Sequence, residues 1–286
     1  NKNLIYLDEL KDIFFLSLTN KIISNKKNII SVGINAESQF KTIKKFQKLN
    51  KINKTIILIP KENFKEEIEK AIKKSKIKNK KIYYYDSNPT KLTQQIEKIT
   101  KYSQRKQNVK DEIKRLKKSD EVNKDIKISR LEKKDTIGKI NFDSIIIPDF
   151  DENLKSITTS LLYTDVSPEK IYFITLNQWF DKSLLTEVST QPIYFPSINK
   201  QNYDKFVKNY YKTYEEYPNQ LSFLSYDLVG LVYYLIIQNK WTINEKMFLK
   251  KNMFKGKIGI FEIKNKKVNH ILNFYKVEDG YFKKIF

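Results

Sequence analysis

Residues 142–163, "FDSIIIPDFDENLKSITTSLLY" (Phe142–Tyr163), decide the fold. A short apolar run closed by a proline reads as a buried strand, and the segment after it reads as a helix. The same unit occurs on both sides. Upstream, "KTIILIP" (Lys54–Pro60) reads as a central strand. It is followed by "ENFKEEIEKAIKKS", with Phe64, Ile68, Ala71 and Ile72 on one helical face, and then by the strand "KIYYYD" (Lys81–Asp86). Downstream, "IYFITLNQWFDKSLL" (Ile171–Leu185) runs from a strand into a segment read as helix. Earlier still, the strands "DIFFLSLTN" (Asp12–Asn20) and "NIISVGI" (Asn28–Ile34) precede a helix with Phe40, Ile43, Phe46 and Leu49 on one side. Strands alternating with amphipathic helices predict an α/β protein, with parallel sheets flanked by helices.

The rhythm changes twice. From Thr90 to about Lys134 no strand pattern occurs, and Leu92, Ile96, Ile99, Tyr102, Val109, Ile113 and Leu116 keep near-heptad spacing. This predicts a helical insertion at about 90–134, one long helix with a shorter one returning beside it, as a protruding arm open to partner docking. After "QPIYFPSI" (Gln191–Ile198), read as a last strand and a crossing segment, come two helical patterns. One carries Tyr203, Phe206, Tyr210 and Tyr214; the other runs from about Leu221 to Gln238, with Asp227 read as favourable near a helix N-terminus. The tail, "KIGIFEIKNKKVNHILNFYKVEDGYFKKIF", has turn signals at "KNKK" and "EDG" and predicts antiparallel strands.

Composition narrows the function. The net charge of +22 first suggests nucleic acid. However, Arg105, Arg115 and Arg130 are the only arginines, and phosphate and base recognition favours arginine forks. Lys, Asn, Ile, Tyr and Phe are enriched together, as A/T-rich codons would dictate, so no specific nucleic-acid partner is expected. With no cysteine and a single histidine, His270 on a strand pattern, thiolate and multi-histidine metal sites are excluded. There is no G-x-G-x-x-G at "VGINAES" and no G-x-S-x-G elbow. No catalytic residue, metal or cofactor is expected, and the chain is not read as an enzyme. No run of eighteen apolar residues appears, so no transmembrane span is expected; the longest is "LVGLVYYLII" (Leu228–Ile237). The chain begins at Asn1 with no visible signal peptide, which suggests a processed chain or a fragment.

In their order, "FFLSLTN", "NIISVGINAESQF", "TIILIP", "FDSIIIPDFDENLKSITTSLLY", "ITLNQWFDKSLL", the tract from "NYYKTYEEYPNQLS" into "YDLVGL", and "FKGKIGIFEI" resemble the type I periplasmic binding proteins. This is the group of the branched-chain amino acid binding proteins, and within it the chain looks most like the penicillin-binding-protein activator lipoproteins. The resemblance implies two α/β lobes around a cleft. Residues 1–52 and 201–268 would form lobe 1, and residues 53–200 and 269–286 lobe 2 with the insertion. The family's opening strand-helix-strand segment is not found here, so lobe 1 is expected to lack its first strands.

The resemblance also points to a cleft. Its "SLTN" loop places Ser17, Thr19 and Asn20 where relatives meet a ligand carboxylate, and "PDFDE" places Phe150 and Asp151 at a second contact. "TLNQWF" places Asn177, Gln178 and Trp179 where relatives often carry a carboxylate for the ligand's ammonium. Asn177 and Gln178 are neutral, and burying an ammonium without a counter-charge costs several kcal/mol. Two functions follow as expectations. The first is a non-enzymatic, exported lipoprotein that activates peptidoglycan synthesis by contacting a penicillin-binding protein. It would sit in the periplasm, tethered to the outer membrane through a lipidated N-terminus. The alternative is a substrate-binding protein that delivers an amino acid or other small solute, held in the interlobe cleft, to an ABC permease.

Overall fold

The computed structural model describes residues 10, 13–21, 28–61, 64–242, 244, 246–249, 251–257 and 259–286. The elements begin with β1 (Phe15–Ser17), β2 (Ile29–Ser31), α1 (Ala36–Leu49), β3 (Thr55–Pro60), α2 (Lys65–Ser75) and β4 (Lys80–Tyr85). Then come α3 (Pro89–Thr100), α4 (Tyr102–Lys117), α5 (Lys124–Glu132), β5 (Ser144–Ile147), α6 (Asp151–Tyr163) and β6 (Tyr172–Thr175). After the single turn α7 (Ser183–Thr186) follow β7 (Ile193–Ser197), α8 (Lys200–Tyr214) and α9 (Gln220–Gln238). The chain closes with α10 (Lys246–Leu249), β8 (Asn252–Lys255), β9 (Ile260–Lys264), β10 (Lys267–Ile271), β11 (Asn273–Glu278) and β12 (Tyr281–Lys284).

A seven-stranded sheet in the order β12-β11-β7-β6-β5-β3-β4 forms the centre. Strands β3 to β7 pair in parallel, and β11 joins antiparallel to β7 and β12. Parallel strands are covered on both faces, which is why "TIILIP" and "SIII" are apolar without alternation. Side chains still alternate in direction. Ile57, Ile59 and Ile146 pack under α1 and α2 with Phe40, Ile43, Phe46, Ile68 and Ile72. Ile56, Leu58, Ile145 and Ile147 face the other way, onto Leu92, Ile96, Leu154, Ile157 and Leu161 of α3 and α6. Two smaller sheets complete the molecule, the parallel pair β1-β2 and the antiparallel β10-β9-β8. Leu231 and Leu235 of α9 pack with Ile30, Phe261 and Ile263 of these sheets and with Val32 just after β2.

Several expectations change. The long helix breaks at Lys101, which adopts a left-handed conformation (φ 54°) between α3 and α4. Helix α3 is a sheet-covering helix through Leu92 and Ile96, so only α4 and α5 form an arm. Arg105 roots the arm: its guanidinium donates to Thr164 O (3.0 Å), Thr136 Oγ1 (2.6 Å) and Asp165 O (3.1 Å). Helix α5 buries nothing. No long helix follows Trp179, because Trp179 and Phe180 are both left-handed (φ 50° and 59°) and turn the chain away. Helix α1 packs on the seven-stranded sheet, and β10 pairs along its length with β9. Asp12 lies outside the described residues. Asp227 faces inward and accepts from Lys257 N–H (2.7 Å), holding the β8–β9 turn rather than a helix terminus. There Gly256 lies so close that a Cβ would sit 2.2 Å from the Asp227 carboxylate. Helix α9 is long and apolar enough to cross a membrane by length and composition, although one side of it belongs to the fold's interior.

The start of α1 is bound to β10. Asn35 caps the helix by accepting from Ser38 N–H (2.9 Å) and donates to Val268 O (2.8 Å). His270 N–H reaches Ser38 Oγ (3.0 Å), and the buried His270 ring donates from Nε2 to Val32 O (2.8 Å). Burial depresses the imidazole to about 4. Burial alone would raise the Glu37 carboxyl, but hydrogen bonds from Lys267 and Lys41 outweigh it and hold the group at about 2.

Two predictions follow. Ile146→Ala, at a fully buried position, should cost about 2–5 kcal/mol in chemical denaturation, whereas Val122→Ala on the exposed arm should stay within about 0.5 kcal/mol. Acid should act in two windows. His270 is uncharged when folded and protonates when unfolded, so its contribution is lost as pH falls from 6.5 to about 4. Glu37 has a depressed folded pKa, so its contribution is present above 4.5 and lost as pH falls towards about 2. Denaturation curves across pH should show His270→Gln flattening the upper window and Glu37→Gln the lower one.

Candidate functional site

A cleft of about 1110 Å³ opens where the turn after β1, the start of α6, the turn after β6 and helices α8 and α9 converge. Thr19, Asn20, Phe150, Asp151, Asn177, Gln178 and Trp179 all line it. Ser17 does not; its hydroxyl turns back to the Thr19 N–H (3.5 Å), as befits the last residue of a strand whose side chains alternate.

The first wall depends on a glycine. Val32 N–H donates to Ser17 O (2.8 Å) and Gly33 N–H to Thr19 O (3.2 Å). A Cβ on Gly33 would lie 2.5 Å from both the Leu18 and Thr19 carbonyl oxygens, so only glycine permits this approach. Thr19 Oγ1 accepts from Lys21 N–H (3.2 Å).

The opposite wall is organised around Asp149, which the sequence reading passed over. Its carboxylate accepts from the Tyr85 hydroxyl and from Phe150 N–H (2.9 Å). Burial, then this bond, pushes the Tyr85 phenol well above its ordinary range. The Asp149 carbonyl accepts from Thr175 Oγ1 (3.1 Å) and Gln178 Nε2 (3.2 Å), and Gln178 also donates to Thr175 Oγ1 (2.9 Å). Asn177 N–H donates to Gln39 Oε1 (2.7 Å), across from α1. Asn177 Oδ1 accepts from the Ser197 hydroxyl (2.7 Å) and from Trp179 N–H (3.0 Å). Its Nδ2 is buried with no partner among the described residues.

Trp179 is half-buried against the core and presents part of its ring to the cleft. Phe180 turns inward, edge-on to Tyr275 at 5.0 Å and to Phe282 at 5.5 Å. Lys200 lies over Phe180 (5.3 Å) and pairs with Asp204 (2.7 Å). Asp151, exposed at the start of α6 with φ 48°, makes no ion pair or hydrogen bond among the described residues. Besides the Asp151 carboxylate and the Trp179 ring, the cleft is lined by the Lys200–Asp204 pair, by Asp181, which accepts from Ser183 N–H (2.9 Å), and by Lys182 and Lys208, which enter no ion pair among the described residues. Among the described residues no cluster of three or more His, Cys, Asp or Glu could hold a metal.

Lys200 and Asp204 were missed because α8 was read only for its apolar side, and Tyr203, read as part of that side, lines the cleft as well. The Lys200–Asp204 pair at i, i+4 was a usable signal. Gln39 also had one: a polar residue beside Phe40 on the face that packs inward.

No protein-family model matches the chain, and no curated protein does. Solved structures do. An extracellular ligand binding receptor from Desulfohalobium retbaense superposes with TM-score 0.58 and 12% identity, over 98% of this chain and 45% of that one. The leucine binding protein LivK from Thermotoga maritima gives 0.60 and 13%, over 98% and 74%. The C-domain of LpoA from Haemophilus influenzae, described as a regulator of PBP1A, gives 0.58 and 15%, over 100% and 79%. The chain thus has the type I periplasmic-binding-protein fold, and it spans less than half of the Desulfohalobium receptor.

Gly33→Ala is expected to cost about 1–3 kcal/mol, through overpacking against backbone that cannot move cheaply. The readout is a lowered denaturant midpoint at unchanged slope. An unchanged midpoint would refute the close approach of the two backbones.

Proposed function

We propose that the chain is a non-enzymatic, two-lobed binding protein of the periplasm that promotes peptidoglycan synthesis by contacting a penicillin-binding protein. One lobe would be the seven-stranded sheet with α1 to α7, and the other the smaller sheets with α8 to α10. Tethering to the outer membrane through a lipidated N-terminus is part of the same reading. The observation that carries it is the state of Asn177 and Gln178. At the position read as the ammonium partner, both are neutral, and most of their hydrogen-bonding atoms are spent on Asp149, Thr175, Ser197, Trp179 and Gln39. Such a segment braces the cleft wall and offers a free amino acid no counter-charge. The likeness to the LpoA C-domain over the whole chain supports the same direction.

One observation favours the alternative, a substrate-binding protein for an ABC importer: the unpartnered Asp151 on the cleft wall, which could face an ammonium. Thermal-shift titration with amino acids, short peptides and small carboxylates separates the two. A ligand at a hundred times its Kd stabilises by about 2.7 kcal/mol, a readily visible shift. The expected result is no shift across the panel and saturable binding of the purified synthase ectodomain from the same genome. A shift with one amino acid that Asp151→Asn abolishes would establish the transport reading instead.

A further inference from the structure

Helices α8 and α9 each pack one side into the molecule and leave a groove of about 790 Å³ between their outer sides. Phe206 contributes to it, and Tyr210, Tyr214, Tyr226, Val229 and Tyr233 line it. On α9, Tyr226, Val229 and Tyr233 recur at i, i+3 and i+7 and are 54%, 70% and 58% exposed. The other side of α9 holds Phe223, Leu231 and Leu235, all buried. The helix is thus apolar on both sides while the fold uses one. A helix apolar all round is normally covered all round, and a contiguous exposed aromatic patch marks an interaction surface.

Charge narrows the occupant. Lys205 and Lys257 line the groove, and no carboxylate does. Neither ammonium enters an ion pair or side-chain hydrogen bond among the described residues. A second copy of the chain would bring the same lysines and another +22, which opposes self-pairing. A bilayer surface would meet the convex faces of α8 and α9, not a concavity between them. The shape suits a third helix laid between two, with aromatic anchors at helical spacing.

We propose that the α8–α9 groove docks an amphipathic helix of a protein partner, apolar on its inner face and acidic at its margins. Resting on the reading above, that helix belongs to the peptidoglycan synthase. Tyrosines supply rigid contact area that can also hydrogen-bond, and the two lysines set register against acidic residues.

The test uses the full chain and two probes. The first is a fluorescein-labelled, 18-residue helical peptide with Leu and Phe on one face and Glu on the other, read by anisotropy. The second is the synthase ectodomain. Tyr226→Ser with Tyr233→Ser should weaken peptide binding at least tenfold, and Lys205→Glu with Lys257→Glu should do the same at low salt. Both double variants should melt as the parent does, since these side chains are exposed. A peptide of the same composition with its apolar face scrambled should bind at least tenfold more weakly. If it binds equally, the attraction is charge alone and the proposal fails. It fails also if phosphatidylglycerol vesicles displace the peptide, or if Tyr226 and Tyr233 resist nitration in the free full chain, since the groove would then already be covered. Synthase binding undiminished in the tyrosine variant removes the groove and leaves the proposed function standing. Peptide docking without any synthase binding does the reverse.

Discussion

Helix α1 is obliged to two surfaces at once, and the rest of the molecule is arranged around that obligation. Its first turn is polar and buried, and buried polar groups need partners. Asn35 and Ser38 find theirs on β10, at Val268 O and His270 N–H, and Glu37 gathers Lys267, Lys41 and Lys74. From Phe40 onward the helix is amphipathic, and on its inner face Phe40, Ile43 and Phe46 enter the core of the seven-stranded sheet, where Phe46 stacks on Phe274 at 4.3 Å. One rigid rod therefore holds the small sheets to the large one. Detaching either end would strand hydrogen-bonding groups or expose a core stripe.

The cleft inherits its shape from that rod. Gly33 and Ile34 lead into α1 and set the Thr19 turn, while Gln39, on the helix itself, accepts the Asn177 N–H on the other wall. Each wall is thus referenced to the same helix. The consequence is a pre-organised cleft whose polar atoms are largely spent on one another. Rigid, internally satisfied loops lower the entropy cost of any binding event, but they also leave fewer groups to recognise a small ligand. Asp151 and Asn177 Nδ2 stand outside that network, one exposed and one buried.

Much of the architecture could be read from the chain because parallel strands buried on both faces leave unmistakable apolar runs, at 55–60 and 144–147. Helical faces were equally plain at Ile68 and Ile72. Amphipathicity, however, says that a face is buried without saying against what, so α1 could not be assigned to its sheet. The break at Lys101 and the turn at Trp179–Phe180 are left-handed without glycine or asparagine, and tertiary packing imposes them where local propensity gives no warning. Cleft residues in the turns after β1 and β6 were reachable through the resemblance. Asp149 was not, because a carboxylate whose work is to accept from Tyr85 and Phe150 N–H looks in sequence like any loop aspartate.

Helix α9 shows where sequence and structure divide the question between them. High apolarity is a sequence property, and it is shared by a membrane span, a core helix and a helix with a partner. Burial on one side only, beside a second helix that offers tyrosines, is a structural property, and it separates these cases. Asp227 points into the fold and accepts from the backbone of the β8–β9 turn, tying the inner side in place. Moving α9 into a bilayer would have to break that bond and unpack Leu231 and Leu235 from Ile30 and Phe261, with hydrocarbon no better a neighbour for them than the core they left. The outer side bears no such ties. Its exposed Tyr226, Val229 and Tyr233 gain by covering, and a cationic chain covers them best with something acidic.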